Sequence, residues 1–149
     1  MSKYNVVTGS LGPRKSFQVV CGLRIGYGAD AVTHTGEEAL EAYLNHLKFR
    51  AAAGQPYLTG TVVPGEVVYA WPEGPGKAGG GHEPTAVVQG EVNPLFNKDL
   101  LDDRKAVVEI LNELGSALGA VLGQTRVYLA YDGEMWILEK EKGQTPTGN

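Results

Sequence analysis

The chain has 149 residues, with 21 glycines, 8 prolines and a formal net charge of −4 at pH 7. Its content of 42% hydrophobic and 20% charged residues excludes a collagen-like polymer and a fully disordered protein. The mildly acidic balance argues against a nucleic-acid-binding protein, since such proteins usually carry a basic surface. At this length we expect a single domain over residues 1–139, followed by a disordered polar tail over 140–149.

The cysteine, the histidines and the length of the apolar runs limit the kinds of site. Cys21 is the only cysteine, which excludes an intrachain disulfide and a CxxC site, and we expect its thiol to be buried and inert. The three histidines do not have the spacing of metal ligands. No apolar run is long enough for a membrane helix or a signal peptide. The sequence therefore predicts a soluble cytoplasmic protein that uses no metal or cofactor and binds neither membranes nor nucleic acid.

The first part of the chain predicts two strands. Residues 4–8 form a short apolar run, which indicates an extra N-terminal strand. From Phe17 to Tyr27, apolar residues alternate with small or polar residues, and this period of two is typical of a strand with one face against a core.

A helix follows these strands. Thr35 and Glu38 have the spacing of a capping box, and Gly54 is a natural residue to end a helix, so we expect a helix over residues 36–53. One apolar stripe at helical spacing is expected to face the core, and His46 lies off this stripe and is expected to be exposed. The stripe consists of Leu40, Tyr43, Leu44, Leu47 and Ala51.

Two β-rich stretches lie on either side of a glycine-rich segment in the middle of the chain. Residues 57–71 predict a strand in which Pro64-Gly65 is either a hairpin turn or a bulge, and we favour one long bent strand. Residues 72–84 predict a mobile loop between strands. Residues 85–92 predict the next strand.

The second helix is the longest predicted element. Apolar residues at helical spacing indicate a helix over residues 99–122, with Asp99 or Asp102 as the N-cap and Gly123 at its end. The acidic pairs Glu37-Glu38 and Asp102-Asp103 are expected in the first turns of the two helices, where carboxylates suit the helix dipole. We interpret both pairs as structural rather than catalytic.

The predicted fold class is α+β. Asp132-Gly133 favours a type I′ turn, which predicts a C-terminal β-hairpin from strands at 126–131 and 134–139. Without the N-terminal strand and the last strand, the element order is βαββαβ, that of a ferredoxin-like plait with both helices on one face of an antiparallel sheet. Residues 67–71 and 86–88 are apolar on both sides, as in strands that are covered on both faces. We therefore expect a homo-oligomer joined through sheet faces or edges.

Six residues are candidates for a binding site. Lys77 and His82 lie in the glycine-rich segment, which lacks the Walker pattern because Ala78 follows Lys77. His34 precedes the first helix, where it is either a general base or a residue at the helix cap. The other three are Arg24, a charge inside the first long strand, Tyr27 at its end, and Trp71 beside the predicted loop.

Three functions remain open. The first is a small-molecule-binding or regulatory oligomer, in which the glycine-rich segment adapts to the ligand. The second is a cofactor-free enzyme, an isomerase or a monooxygenase, that uses His34, Tyr27 or Arg24. The third is a structural or protein-interaction module. The predicted order of elements is similar to that of PII-type signalling proteins and other plait oligomers, although no motif of such a family runs along the chain.

Overall fold

A computed structural model describes residues 2–142 of the chain, so most of the predicted tail over 140–149 lies outside the described residues. The described chain contains two helices, α1 (Gly36–Ala52) and α2 (Arg104–Leu122). Its strands are β1 (Ser16–Gly22), β2 (Arg24–Ile25), β3 (Val32–Thr33), β4 (Thr61–Gly74), β5 (Lys77–Glu91), β6 (Arg126–Tyr131) and β7 (Glu134–Glu139).

A five-stranded antiparallel sheet forms the centre of the molecule. Its strand order is β4-β5-β1-β6-β7, and β2 and β3 pair separately as a short ribbon. Val19 of β1 is fully buried and lies between Val88 of β5 and Leu129 of β6. Both helices pack on this side of the sheet, which confirms the predicted mixed α+β class. The C-terminal hairpin is also confirmed, with Arg126 opposite Glu139 as its register requires.

The two helices begin at side-chain caps. Thr35 accepts a hydrogen bond from the N–H of Glu38 at 3.2 Å, as predicted for α1. The N-cap of α2 is Asp103, which accepts from the N–H of Ala106 at 3.1 Å, so the predictions of Asp99 and Asp102 were wrong. Lys98–Leu100 form a separate 3-10 turn before α2, and the long helix therefore begins later than residue 99.

The ends of these helices agree better with the sequence. Gly123 ends α2 with a left-handed φ of 65°, a conformation that glycine adopts without steric cost. Among residues 2–142, neither helix is long and apolar enough to cross a membrane.

The N-terminal predictions need two corrections. Residues 4–8 form no strand, because no neighbouring strand offers them backbone partners. The strand predicted from Phe17 to Tyr27 ends at Gly22. Leu23 still donates its N–H to the carbonyl of Pro84 on β5, but Pro84 has no N–H to return, and the carbonyl of Leu23 accepts from His34 instead. Gly26 has a φ of 80°, which turns the chain into the β2–β3 ribbon.

The glycine-rich segment is a pair of strands and not the mobile loop predicted over residues 72–84. β4 continues through Pro64-Gly65 without a turn, so the interpretation as one long strand is confirmed. Beyond residue 71 the strand continues to a tight turn at Gly74–Lys77, and β5 returns from there to Glu91. The register shift lies between Pro72 and Gly74.

The buried face of α1 differs from the predicted stripe. Tyr43 is buried, but Leu40 is 50% exposed and Leu44 is 44% exposed. His46 and Arg50 are buried instead, because α2 packs along that side and its Glu113 forms an ion pair with Arg50. The Nε of Arg50 also donates to the carbonyl of Pro56 at 2.6 Å, which satisfies a second donor of the buried guanidinium. The prediction that His46 is exposed was therefore wrong.

The face of the sheet opposite the helices carries an apolar row across all five strands. Cross-strand pairing places these residues side by side, and three of them are at least 37% exposed. The row runs through Val63, Val87, Val20, Tyr128 and Ile137. We call this surface the open face.

We predict that His46 makes the protein less stable in mild acid. Burial lowers the pKa of His46, with a further lowering by the charge of Arg50 and an opposing effect of Glu113. The unfolded chain therefore binds the proton first as the pH falls through about 6.5, and the free energy of unfolding falls with it. Urea denaturation should show that the free energy of unfolding falls less between pH 7.5 and 5.5 in His46→Gln than in the unchanged protein. The exposed His82 gives the control His82→Gln, which should keep the original loss; equal slopes in all three proteins would contradict the prediction.

Candidate functional site

The distal parts of β4 and β5 extend beyond the sheet as a two-stranded arm. Pairing with β1 ends where Gly22 lies opposite Thr85, whereas β4 and β5 stay paired from Glu66 and Pro84 to the turn. We call residues 66–84 the arm. One surface of the arm continues the open face, and the other continues the helix side of the sheet.

On the open-face side, aromatic rings of β4 lie across glycines of β5. Tyr69 and Trp71 are stacked with ring centroids 6.0 Å apart. They pair with Gly81 and Gly79, where an added Cβ would lie 3.1 Å from the Tyr69 hydroxyl and 2.5 Å from Trp71 Cε2. The glycines therefore provide the space that the rings occupy, which is the physical reason for the glycine-rich composition of this segment.

Two carboxylates hold these rings. Trp71 donates its indole N–H to Glu73 at 2.9 Å, and the Tyr69 hydroxyl donates to Glu83 at 3.3 Å. Partial desolvation and the charge of Glu83 raise the pKa of Tyr69, and Tyr27 and Arg24 lie close enough to act on it as well. The outcome is an exposed patch of stacked aromatic rings with negative charge beside them.

A cleft of about 590 Å³ lies on the helix side, between the first turn of α1 and the base of the arm. Most of its wall is apolar, which is the usual character of small-molecule sites. The apolar wall consists of Leu23, Leu40, Val62, Pro64 and Ala86.

Charged groups lie at the two ends of the cleft. Glu66 is at the base of the arm, where its carboxylate pairs with His82 Nδ1 at 3.1 Å. Gly36 and Glu37 line the other end, and backbone N–H groups of a first helical turn have no intrahelical acceptors. Glu66 can therefore attract a positive group, and the first turn of α1 offers backbone N–H groups beside the Glu37 carboxylate.

The structure separates the predicted site residues into three places. Trp71 and Lys77 are on the arm, with Lys77 exposed beside its turn. Arg24 lies in β2 and Tyr27 in the connection between β2 and β3, and both are exposed. His34 pairs with Glu38 of α1, and His82 alone contacts a residue of the cleft, Glu66.

The sequence interpretation missed Glu66, Glu37, Tyr69 and Glu83. A signal was present for the aromatic residues, because two aromatic residues at a spacing of two face two glycines at the same spacing across Gly-Pro-Gly. No local signal marks Glu66 or Glu37, because the cleft joins residues about thirty positions apart.

The remaining predicted side chains behave as structural groups. Cys21 is buried as predicted, and burial raises its thiol pKa to about 12, so it stays protonated at neutral pH. Burial also raises the pKa of Tyr43, whose hydroxyl donates to the carbonyl of Leu58. Within residues 2–142 no cluster of three or more histidine, cysteine or acidic side chains is arranged to hold a metal ion.

Comparison with solved structures gives two matches over nearly the whole chain. A phage SAM lyase in complex with S-methyl-5′-thioadenosine has a TM-score of 0.60 at 16% identity, covering 94% of this chain and 98% of that chain. The chain has the fold of this lyase. A phage SAM lyase in the apo state has a TM-score of 0.61 at 14% identity, covering 96% of this chain and 100% of that chain. No family model and no curated protein sequence matches the chain.

We predict that a side chain at residue 79 displaces the Trp71 ring. Because the added atoms of Gly79→Val would overlap the indole, the ring should move away from the arm into water, and tryptophan emission should shift to longer wavelength. Ala78→Val is the control, because residue 78 pairs with Pro72 on the opposite side of the arm. Because the arm is exposed, the free energy of unfolding of both variants should stay within about 1 kcal/mol of that of the unchanged protein. An unchanged emission spectrum in Gly79→Val would show that the ring does not lie over residue 79.

Proposed function

We propose that the chain binds S-adenosylmethionine, or a closely related sulfonium metabolite, in the cleft between α1 and the arm, and cleaves it as a lyase. The observation that carries this proposal is an apolar cleft lined by the Glu66 carboxylate and by the first turn of α1. The fold shared with a phage SAM lyase supports the choice of substrate.

The ligand chemistry matches the cleft group by group. S-adenosylmethionine carries a positive sulfonium and ammonium, a carboxylate and a flat adenine ring. Glu66 would attract the cationic groups, and the N–H groups of Gly36 and Glu37 would bind the carboxylate. Leu40, Val62 and neighbouring residues would cover the adenine, and a volume of about 590 Å³ accommodates a ligand of this size.

The apolar wall also favours the bond cleavage. When the bond between the sulfonium and the amino-acid side chain breaks, both electrons go to sulfur, which becomes a neutral thioether. The positive charge is spread out in the transition state, and apolar surroundings therefore stabilise the transition state relative to the charged substrate. Sulfur accepts the electron pair, so the step requires no redox cofactor. The other fragment gains its missing bond by closing on its own carboxylate or by losing the neighbouring C–H proton.

We predict that Glu66→Gln weakens binding of S-adenosylmethionine at least tenfold, as expected for a lost charge-assisted contact. Titration calorimetry gives the Kd, and mass spectrometry follows formation of S-methyl-5′-thioadenosine. Proton NMR of the second product distinguishes a lactone from an alkene. Glu83→Gln, on the opposite side of the arm, is the matched control and should leave the Kd unchanged.

The same measurements separate the alternatives. If S-adenosylmethionine binds but no S-methyl-5′-thioadenosine forms, the result would support a small-molecule-binding protein and would rule out the lyase step. Absence of both binding and turnover in the unchanged chain would overturn the proposal. Isomerase and monooxygenase activities and a purely structural role stay predictions.

We also propose that the fold is a ferredoxin-like plait with one added strand. The support is the strand order: without β2, β3 and β7, the chain reads βαββαβ, with its first and third strands in the middle of the sheet.

We propose further that the protein is a homo-oligomer. The support is the apolar row of the open face, where the exposed side chains include Val63, Tyr128 and Ile137. Water-exposed apolar patches that span a sheet typically mark an association surface. A second copy of the same chain is the simplest cover, since its own open face has matching chemistry.

We predict that Ile137→Glu lowers the molar mass measured by light scattering at micromolar concentration, because it places a charge at one end of the apolar row. The unchanged protein should have a molar mass of at least two chains of 15.9 kDa. Val121→Glu, at a residue of α2 that is 53% exposed on the other side of the molecule, should keep the mass of the unchanged protein. A monomeric unchanged protein would contradict the prediction.

A further inference from the structure

The N-terminal segment, residues 2–9, exposes large apolar side chains. Tyr4 is 93% exposed and Val6 is 83% exposed. The segment is not part of any helix or strand of residues 2–142, and its hydrogen bonding is confined to a turn in which Ser10 bonds back to Val7. Tyr and Val favour strands, so these residues have the composition of a strand but no partner strand.

β4 has a free edge of matching character. Within the described part of the chain, β4 pairs with β5 alone, which leaves its outer edge without backbone partners. The even-numbered residues of β5 bond to β1, so its odd-numbered residues bond to β4, and Val62, Pro64 and Glu66 direct their backbone groups outward. Of these three, Pro64 presents a carbonyl but no N–H. These positions are next to the cleft. Val62 and Glu66 offer a donor and an acceptor to one more strand, whereas Pro64 offers an acceptor alone.

The surface beside this edge is also apolar. Leu40 and Leu44 of α1 are 50% and 44% exposed, although they belong to the most apolar stripe of that helix. Leu40 shares the cleft with Val62 and Pro64. A strand added to β4 would therefore place alternate side chains against an apolar groove between α1 and β4.

Charge favours the same pairing. Lys3 is the only charged side chain of residues 2–9, whereas Glu37 and Glu66 lie at the ends of the groove. The single positive charge of the segment can thus approach the Glu66 carboxylate at the base of the arm.

The position of the segment favours a second copy over the same copy. The chain enters β1 at Ser16, opposite Glu91, whereas the groove lies toward the other end of the sheet, near the arm. Gly12 lies against Pro94 in the loop after β5, so the segment leaves the molecule at the end away from the groove.

We propose that residues 4–7 of one copy add as a further strand to the outer edge of β4 in a second copy, with apolar side chains in the groove between α1 and β4. The mode is β-augmentation, in which backbone hydrogen bonds provide affinity and alternate side chains provide specificity. The added strand borders the cleft, so its alternate side chains and a bound ligand would share the apolar wall of Leu40 and Val62; this consequence rests on the proposed function.

Disulfide cross-linking tests the proposal without any ligand. Cys21 is buried, so engineered cysteines are the only reactive thiols expected. The Val6→Cys variant is mixed under mild oxidation with a Leu40→Cys variant that carries a tag, so that the two chains differ in mass. We expect a disulfide-linked product with the summed mass of the two chains. Val6→Cys mixed with Val121→Cys is the control and should give at least tenfold less product.

Two results would overturn the proposal. One is equal cross-linking to residues 40 and 121. The other is a chain with both Val6→Cys and Leu40→Cys that links only to itself at every dilution, which would place the segment on its own copy. Deletion of residues 2–9, which lie outside the sheet, should also raise the concentration needed for self-association. Since none of these measurements uses S-adenosylmethionine, their failure is distinguishable from failure of the proposed function.

Discussion

Phe17, Val19 and Cys21 of β1 are buried beneath α2, while the backbone of the same strand pairs with β5 on one side and β6 on the other. The other parts of the core are arranged around this strand. α2 lies close to the sheet because Gly115 and Gly119 have no side chains, and an added Cβ would be 2.9 Å from Leu138 and 3.1 Å from Val127. This close approach explains why the helix tolerates two residues of low helix propensity.

A length difference between neighbouring strands creates the candidate site. β1 ends at Gly22, but β4 and β5 continue as the arm, so the helix layer and the arm enclose a cleft where the central strand stops. α1 presents its N-terminus to this cleft, while α2 occupies the side of α1 that contains His46 and Arg50. The same packing leaves Leu40 at the surface. The ligand cleft and the apolar groove thus both result from the way the two helices pack side by side on one face of the sheet.

Much of the fold was predictable from local signals. The cap at Thr35, the end of α2 at Gly123 and the hairpin at Asp132-Gly133 depend on a few neighbouring residues, so periodicity and turn preferences identify them. The arm was mispredicted because its glycines resemble a loop until they are matched with Tyr69 and Trp71 across the turn. The candidate site was less predictable, since of the six proposed residues only His82 contacts a carboxylate of the cleft.

The sequence by itself determined the two helices, the C-terminal hairpin, the order βαββαβ of the main elements, and the presence of apolar residues on both sides of the sheet. These features follow from contacts between residues that are close in the chain or from the periodicity of one element. The tertiary structure decided which side of α1 is buried, where β1 stops and which carboxylates share a cleft. Such features depend on the packing of α1 against α2 and on the pairing of distant strands, and no short stretch of sequence contains both partners.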